Sequence, residues 1–163
     1  MNPFRRPLLL AAAAALSSAL IGCATMQAPA TIAETAARTP QLSTLSKLLA
    51  DAGLTDTLRG AGPFTVFAPS DEAFKAVPAK TMAELTANKE LLKSVLTYHV
   101  LAGKVGAADA KNGNLKTVQG ANVAIAKAGT FLTVEEGVVT EADVPATNGV
   151  IHVIDKVLMP PKR

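Results

Sequence analysis

Tryptophan is absent from the 163 residues, tyrosine occurs once, and aromatic residues make up only 4% of the chain. So little flat aromatic surface leaves nothing to build a base-stacking platform. A single cysteine, Cys23, excludes an internal disulfide and any cysteine-based metal site. The only histidines, His99 and His152, are too few to ligate a metal without help from Asp or Glu. No metal and no other cofactor is expected. Charge is also scarce, at 18% of residues. The formal +3 falls to near +1 once Arg5 and Arg6 are set aside with the leader described below, leaving 14 Lys and Arg against 13 Asp and Glu. That balance excludes an electrostatic grip on nucleic acid. Phosphate loops, paired-glycine dinucleotide fingerprints and EF-hand loops are missing as well. What the chain has is apolar material, 49% of it, which suits one packed domain and excludes disorder.

Residues 1–23 put two arginines ahead of an apolar run from Leu8 to Ile21. At 14 residues this run is shorter than the roughly 20 that span a bilayer, and it suits the apolar region of an export signal. The sequence Leu20-Ile21-Gly22-Cys23 resembles a bacterial lipobox. Such a leader implies that the Cys23 thiol takes a diacylglycerol and that residues 1–22 are cut away. Two or three acyl chains would anchor the protein stably, where one would not. The competing expectation is ordinary secretion, with cleavage after the thiol and its loss. Ala24 in place of an aspartate resembles lipoproteins sorted to an outer membrane, where the cell has one. Residues 23–30 then form a tether of small residues. Its seven residues after Cys23 would span roughly 15 Å on average and keep the domain near its membrane.

The mature domain is expected from Thr31 to Pro161. Thr31-x-x-Glu34 and Thr81-x-x-Glu84 match the capping-box spacing and predict two helix starts. Leu42, Leu45, Leu48, Leu49 and Ala52 recur at helical spacing, with Gly53 as the stop. Leu91, Leu92, Val95 and Leu96 form a second apolar stripe, with Lys89, Glu90 and Lys93 facing water. From Leu115 the period shortens. Leu115–Val118, Asn122–Ala126, Phe131–Val134 and Val138–Thr140 read as strands at hairpin spacing. Val150–Ile154 is apolar on both faces and predicts a central, doubly covered strand, entered through a positive-φ turn at Asn148-Gly149. The fold class is α+β.

Three segments together resemble a fasciclin-like domain. Phe64-Thr65-Val66-Phe67-Ala68-Pro69-Ser70-Asp71-Glu72-Ala73-Phe74 is similar to its first box, a buried strand running into a short helix. Tyr98-His99-Val100 is similar to its central tyrosine–histidine element. Asn148-Gly149-Val150-Ile151-His152-Val153-Ile154-Asp155-Lys156-Val157-Leu158-Met159-Pro160 is similar to its second box. The physical sense of the boxes is local. Pro69 is expected to end strand pairing, and Ser70 to cap the next helix. Asp71 and Glu72 would occupy its favourable first turn, and Phe74 would return to the core. The resemblance implies a twisted β-sandwich-like core with helices packed on it, and a role in extracellular or surface adhesion. Some animal members engage integrins through the tyrosine–histidine region.

Tyr98 and His99 are therefore the candidate partner-binding residues, although Tyr98 as core filler is the alternative. Phe67, Pro69, Ser70, Asp71, Phe74, Asn148, Gly149, His152 and Asp155 are read as structural. Ser70, Asp71 and His99 are the residue types of a nucleophilic triad, but no Gly-x-Ser-x-Gly elbow presents the hydroxyl. A histidine bonded within the core, to Asp71 or Ser70, is the simpler expectation. Lys104, Lys111, Lys116 and Lys127 could form a basic face for acidic lipid or polysaccharide. The expected function is that of a lipid-anchored extracytoplasmic module, held to the membrane by its N-terminal lipid, that binds an envelope or extracellular protein or polysaccharide without catalysis. The runner-up is a carrier or sensor of a small apolar ligand held between helices and sheet.

Overall fold

Leucines at helical spacing bury one face of helix α2 (Ser43–Asp51), which ends as predicted where Gly53 turns left-handed at φ +68°. The computed structural model describes residues 30–161, so the leader, Cys23 and most of the tether lie outside the described residues. Before α2 come α1 (Ile32–Arg38) and a single 3-10 turn at Pro40–Leu42; after it comes α3 (Thr55–Arg59). Strand β1 (Phe64–Pro69) then leads into α4 (Asp71–Ala76), α5 (Ala79–Ala87) and α6 (Lys89–Tyr98). Six strands follow: β2 (Val100–Ala102), β3 (Gly113–Lys116), β4 (Asn122–Ala128), β5 (Phe131–Val134), β6 (Gly137–Ala146) and β7 (Gly149–Ile154).

The strands form one seven-stranded sheet in the order β2-β1-β7-β6-β5-β4-β3, parallel only between β1 and β7. Register shifts bend β6 between Val139 and Val144, so the sheet folds over on itself. The outer strands meet where Leu101 bridges Thr117, and the Val118 N–H reaches the Val100 carbonyl at 2.8 Å. The sandwich-like core expected from the resemblance is thus a single mixed sheet rolled nearly into a barrel. Two apolar clusters result. Ile151, Val153, Val66 and Ala68 meet the helices on one face of β1 and β7. Phe67 and Ile154, from the alternate positions, join Val123, Ile125, Leu132 and Val134 inside the roll. Strand β7 is buried along its whole length, as its two-faced apolar sequence predicts.

Three local expectations need correction. Thr81 lies inside the first turn of α5 rather than capping it, because Pro78 takes the cap position three residues earlier. Pro69 does not end pairing. It stands in register with Ile154, and the Ser70 N–H continues the ladder to the Ile154 carbonyl at 3.0 Å. Nor is Gly149 among the left-handed glycines, which are Gly53, Gly103, Gly113, Gly120 and Gly129. It is glycine for want of space: a Cβ there would fall onto the Phe64 carbonyl of the parallel neighbour.

Gly149→Ala must therefore force β1 and β7 apart, at an expected cost above about 3 kcal/mol. Gly120→Ala meets open space and bears only a left-handed backbone, so about 1 kcal/mol is expected there. Urea midpoints of the two variants should differ clearly; equal midpoints would contradict the close packing of β1 on β7.

Candidate functional site

The polar residues of the three boxes gather where helices meet the two central strands. Asn148, at the corner before β7, accepts from the Ile32 N–H through Oδ1 at 2.9 Å. Its Nδ2 donates to the Leu58 and Gly60 carbonyls at 2.7 and 2.9 Å. Its backbone carbonyl accepts from the Phe64 N–H at 3.0 Å. One residue, through its side chain and its backbone carbonyl, thus joins the start of α1, the end of α3 and the first residue of β1.

Ser70 caps α4 as its sequence predicts, accepting from the Ala73 N–H at 3.2 Å. Asp71 does something the sequence did not signal. Its carboxylate accepts from the Ser43 hydroxyl at 2.7 Å and the Thr44 N–H at 2.8 Å, and so holds the start of α2. Partial burial pulls the Asp71 pKa up, but the bonds from Ser43 and Thr44 outweigh it and leave the carboxyl below its ordinary value. Phe74 is buried one turn on. At the far end of β7, Asp155 accepts from the Val138 N–H at 2.7 Å and fixes the start of β6.

Both histidines are buried, and every ring nitrogen is bonded to backbone. His99 Nδ1 lies 2.8 Å from the Val95 carbonyl, which can only accept, so this nitrogen carries the proton. Its Nε2 accepts from the Leu158 N–H at 3.0 Å and pins the segment after β7 against the domain. The expected bond from His99 to Asp71 or Ser70 is not made, because helix α6 aims the ring at its own turn and at Leu158. Full burial pushes the His99 pKa down to about 4, only partly offset by the bond to Val95. His152 Nε2 lies 2.8 Å from the Val105 carbonyl, and its Nδ1 accepts from the Asp143 N–H at 3.2 Å. Its ring stacks on Phe67 with centroids 5.7 Å apart.

Tyr98 and His99, the candidates for partner contact, are each only 2% exposed. The Tyr98 hydroxyl lies 3.0 Å from the Asn122 carbonyl and 3.1 Å from Glu135 Oε1. Glu135 takes a left-handed backbone (φ 54°) in the turn between β5 and β6, a conformation that costs a non-glycine residue about 1 kcal/mol. Burial first, then the Glu135 charge and hydrogen bond, raise the Tyr98 pKa to about 12. The pair therefore sits inside the domain rather than on its surface. Lys127 is likewise removed from the expected basic face, its ammonium group donating to the Ala107 and Ala108 carbonyls at 2.7 and 3.0 Å. Lys104, Lys111 and Lys116 are exposed.

Chemically, this arrangement holds structure. Ser70, Asp71 and His99 each bond elsewhere, so no proton relay joins them. Among the described residues no cluster of three or more His, Cys, Asp or Glu side chains is placed to share a metal ion. A groove of about 530 Å³ opens beside this framework, between α4, α5, α6 and the segment after β7. Val77, Leu85, Leu91 and Met159 line it, and Glu84, Glu136 and Lys156 border it. Leu91 is 39% exposed here although the helical stripe placed it in the core. The groove needs residues far apart in the chain, and no local pattern announced it.

A family model for the fasciclin domain matches residues 40–160. The chain is similar to protein sll1483 of Synechocystis sp., 41% identical over 146 residues that cover 88% of this chain and 81% of the relative. It is similar to the cell surface glycolipoprotein MPB83 of Mycobacterium bovis, 40% identical over 135 residues, covering 80% of this chain and 60% of that protein. A FAS1 domain pair from the insect cell adhesion molecule fasciclin I shares the fold. The TM-score is 0.64 at 21% identity, over 80% of this chain and 51% of that one.

The buried rings predict two titrations. His99 is harder to protonate folded (about 4) than unfolded (6.5), so below pH 6.5 the unfolded state binds more protons. Its contribution is complete above 6.5 and falls by about 3 kcal/mol as the pH drops towards 4. Urea midpoints across this range should fall for wild type and flatten for His99→Gln; parallel curves would contradict the burial of the ring. For Tyr98, the sole tyrosine, phenolate absorbance should rise only near pH 12 in the folded protein. A rise at the ordinary value of 10.0 would show an exposed hydroxyl.

Proposed function

The chain belongs to the fasciclin domain family, and we propose on that premise that it is a lipid-anchored, extracytoplasmic module that makes adhesive contacts with protein or surface polymer and catalyses nothing. The observation that carries the non-catalytic part is the bonding of its chemically capable side chains. Each ring nitrogen of His99 and His152, the Ser70 hydroxyl and the Asp71 carboxylate already serves a backbone group or a helix start. A nucleophile needs a base within hydrogen-bond reach, and here the base is engaged elsewhere. Adhesive contact is what membership of the family suggests.

The anchor rests on the placement of the only cysteine directly after Leu20-Ile21-Gly22. The name of one relative, a cell surface glycolipoprotein, supports it. Among the described residues no helix is long and apolar enough to cross a membrane. Acylated Cys23 would supply a membrane attachment. In a cell with two membranes, Ala24 favours the outer one.

The groove supports a second reading, in which the domain carries a small apolar ligand. Its volume of about 530 Å³ falls within the range usual for ligand sites, and its lining is largely apolar.

Palmitate labelling of the full chain tests the anchor. Wild type should incorporate label and stay with the membrane fraction, and Cys23→Ala should do neither. Label retained by Cys23→Ala would remove the lipoprotein reading. Native mass spectrometry of the protein from its own host separates the two readings. A bare domain is expected; a stoichiometric lipid displaced by Leu91→Asp would establish the carrier instead.

A further inference from the structure

The direction of the central strands gives the domain two chemically different ends. Strands β1 and β7 start together, Phe64 beside Gly149, and finish together, Pro69 beside Ile154. The described chain begins at the starting end, where the Ala30 carbonyl accepts from the Thr147 N–H at 2.9 Å. The loop at Gly62 and Pro63 lies there too, as does Lys104, because β2 runs antiparallel to β1 and ends beside Phe64. At the finishing end, Asp71, Glu72, Glu136 and Asp155 outnumber Lys75 and Lys156. The starting end has no such excess: Glu34 and Asp56 are offset there by Arg59 and Lys104.

Cys23 is followed by seven residues up to and including Ala30, which reach at most roughly 25 Å when fully extended. The six residues of β1 place the acidic end roughly 20 Å farther off. Bacterial envelope membranes present anionic headgroups, which attract a nearby lysine and repel carboxylates over about a Debye length. We propose that the starting end is the membrane-facing surface, that Lys104 lies over anionic headgroups there, and that the acidic end and the Leu91–Met159 groove point away from the bilayer. The occupant of this surface is a lipid headgroup layer. The orientation rests on the Cys23 anchor proposed above and goes beyond it by assigning which face any partner can reach.

The test uses the full lipidated chain in vesicles of phosphatidylethanolamine and phosphatidylglycerol that carry headgroup nitroxides. A fluorophore is attached through Ala61→Cys at the starting end or Glu72→Cys at the acidic end. Both positions are exposed, so neither substitution disturbs the core. Flotation with the vesicles is scored first. Floating protein quenched several-fold more at residue 61 than at residue 72 is the expected result. Lys104→Glu should reduce that difference in these vesicles but not in neutral phosphatidylcholine. Floating protein with equal quenching, or stronger quenching at residue 72, overturns the orientation while leaving the anchor intact. Protein that fails to float overturns both.

Discussion

Parallel pairing of β1 with β7 is the constraint from which the rest of the architecture follows, and Asn148 is what secures it. Parallel strands cannot be joined by a tight turn, and these two are separated by most of the domain. The Asn148 side chain solves this with three hydrogen bonds, to Ile32, Leu58 and Gly60, while its carbonyl receives the Phe64 N–H. Each partner is a backbone group at a helix or strand end that has no partner within its own element. Leaving such groups unpaired in a buried setting costs about 1–3 kcal/mol apiece, so the amide side chain is worth far more than a turn residue. Gly62 and Gly149 flank it because a methyl group at either would strike backbone, that of Asn148 or of Phe64.

The same economy governs the other polar residues. His99 ties the segment after β7 to α6, Asp71 ties α4 to α2, and Asp155 ties β7 to β6. Each links two elements that periodicity alone would leave free to slide. Burial of His99 in neutral form fits this use, since a charged ring would give up one of its two backbone bonds. His99 also connects framework to surface. By holding Leu158 it fixes the segment that carries Met159 along the groove.

Much of this was legible in the sequence, for reasons that are local. Two-faced apolar character marks β7 because both its faces are covered. Serine followed by two acids marks α4 because capping and dipole act within one turn. The family resemblance of the three boxes agrees with the match over residues 40–160. Long-range relations were not legible. Asn148-Gly149 reads as a positive-φ turn, yet Gly149 answers to crowding from β1 and Asn148 to three distant backbone groups. Strand β6 runs from Gly137 to Ala146 although only Val138–Thr140 looked like strand, because its bulges and outward polar residues break the alternation. Tyr98 as core filler was one of two open readings, and its bond to Glu135 depends on a left-handed turn that no pattern signals. The expected leader and Cys23 lie outside the described residues.

The central claim is that the polar box residues are fasteners of the fold. Amide hydrogen exchange measures this directly at Ile32, which donates to Asn148, and at Leu158, which donates to His99. Both amides lie at the edges of secondary structure and would exchange quickly if those bonds were incidental. Protection equal to that of Val153 within β7, lost only on global unfolding, is the predicted result. Exchange at the rate of an open loop would contradict the account.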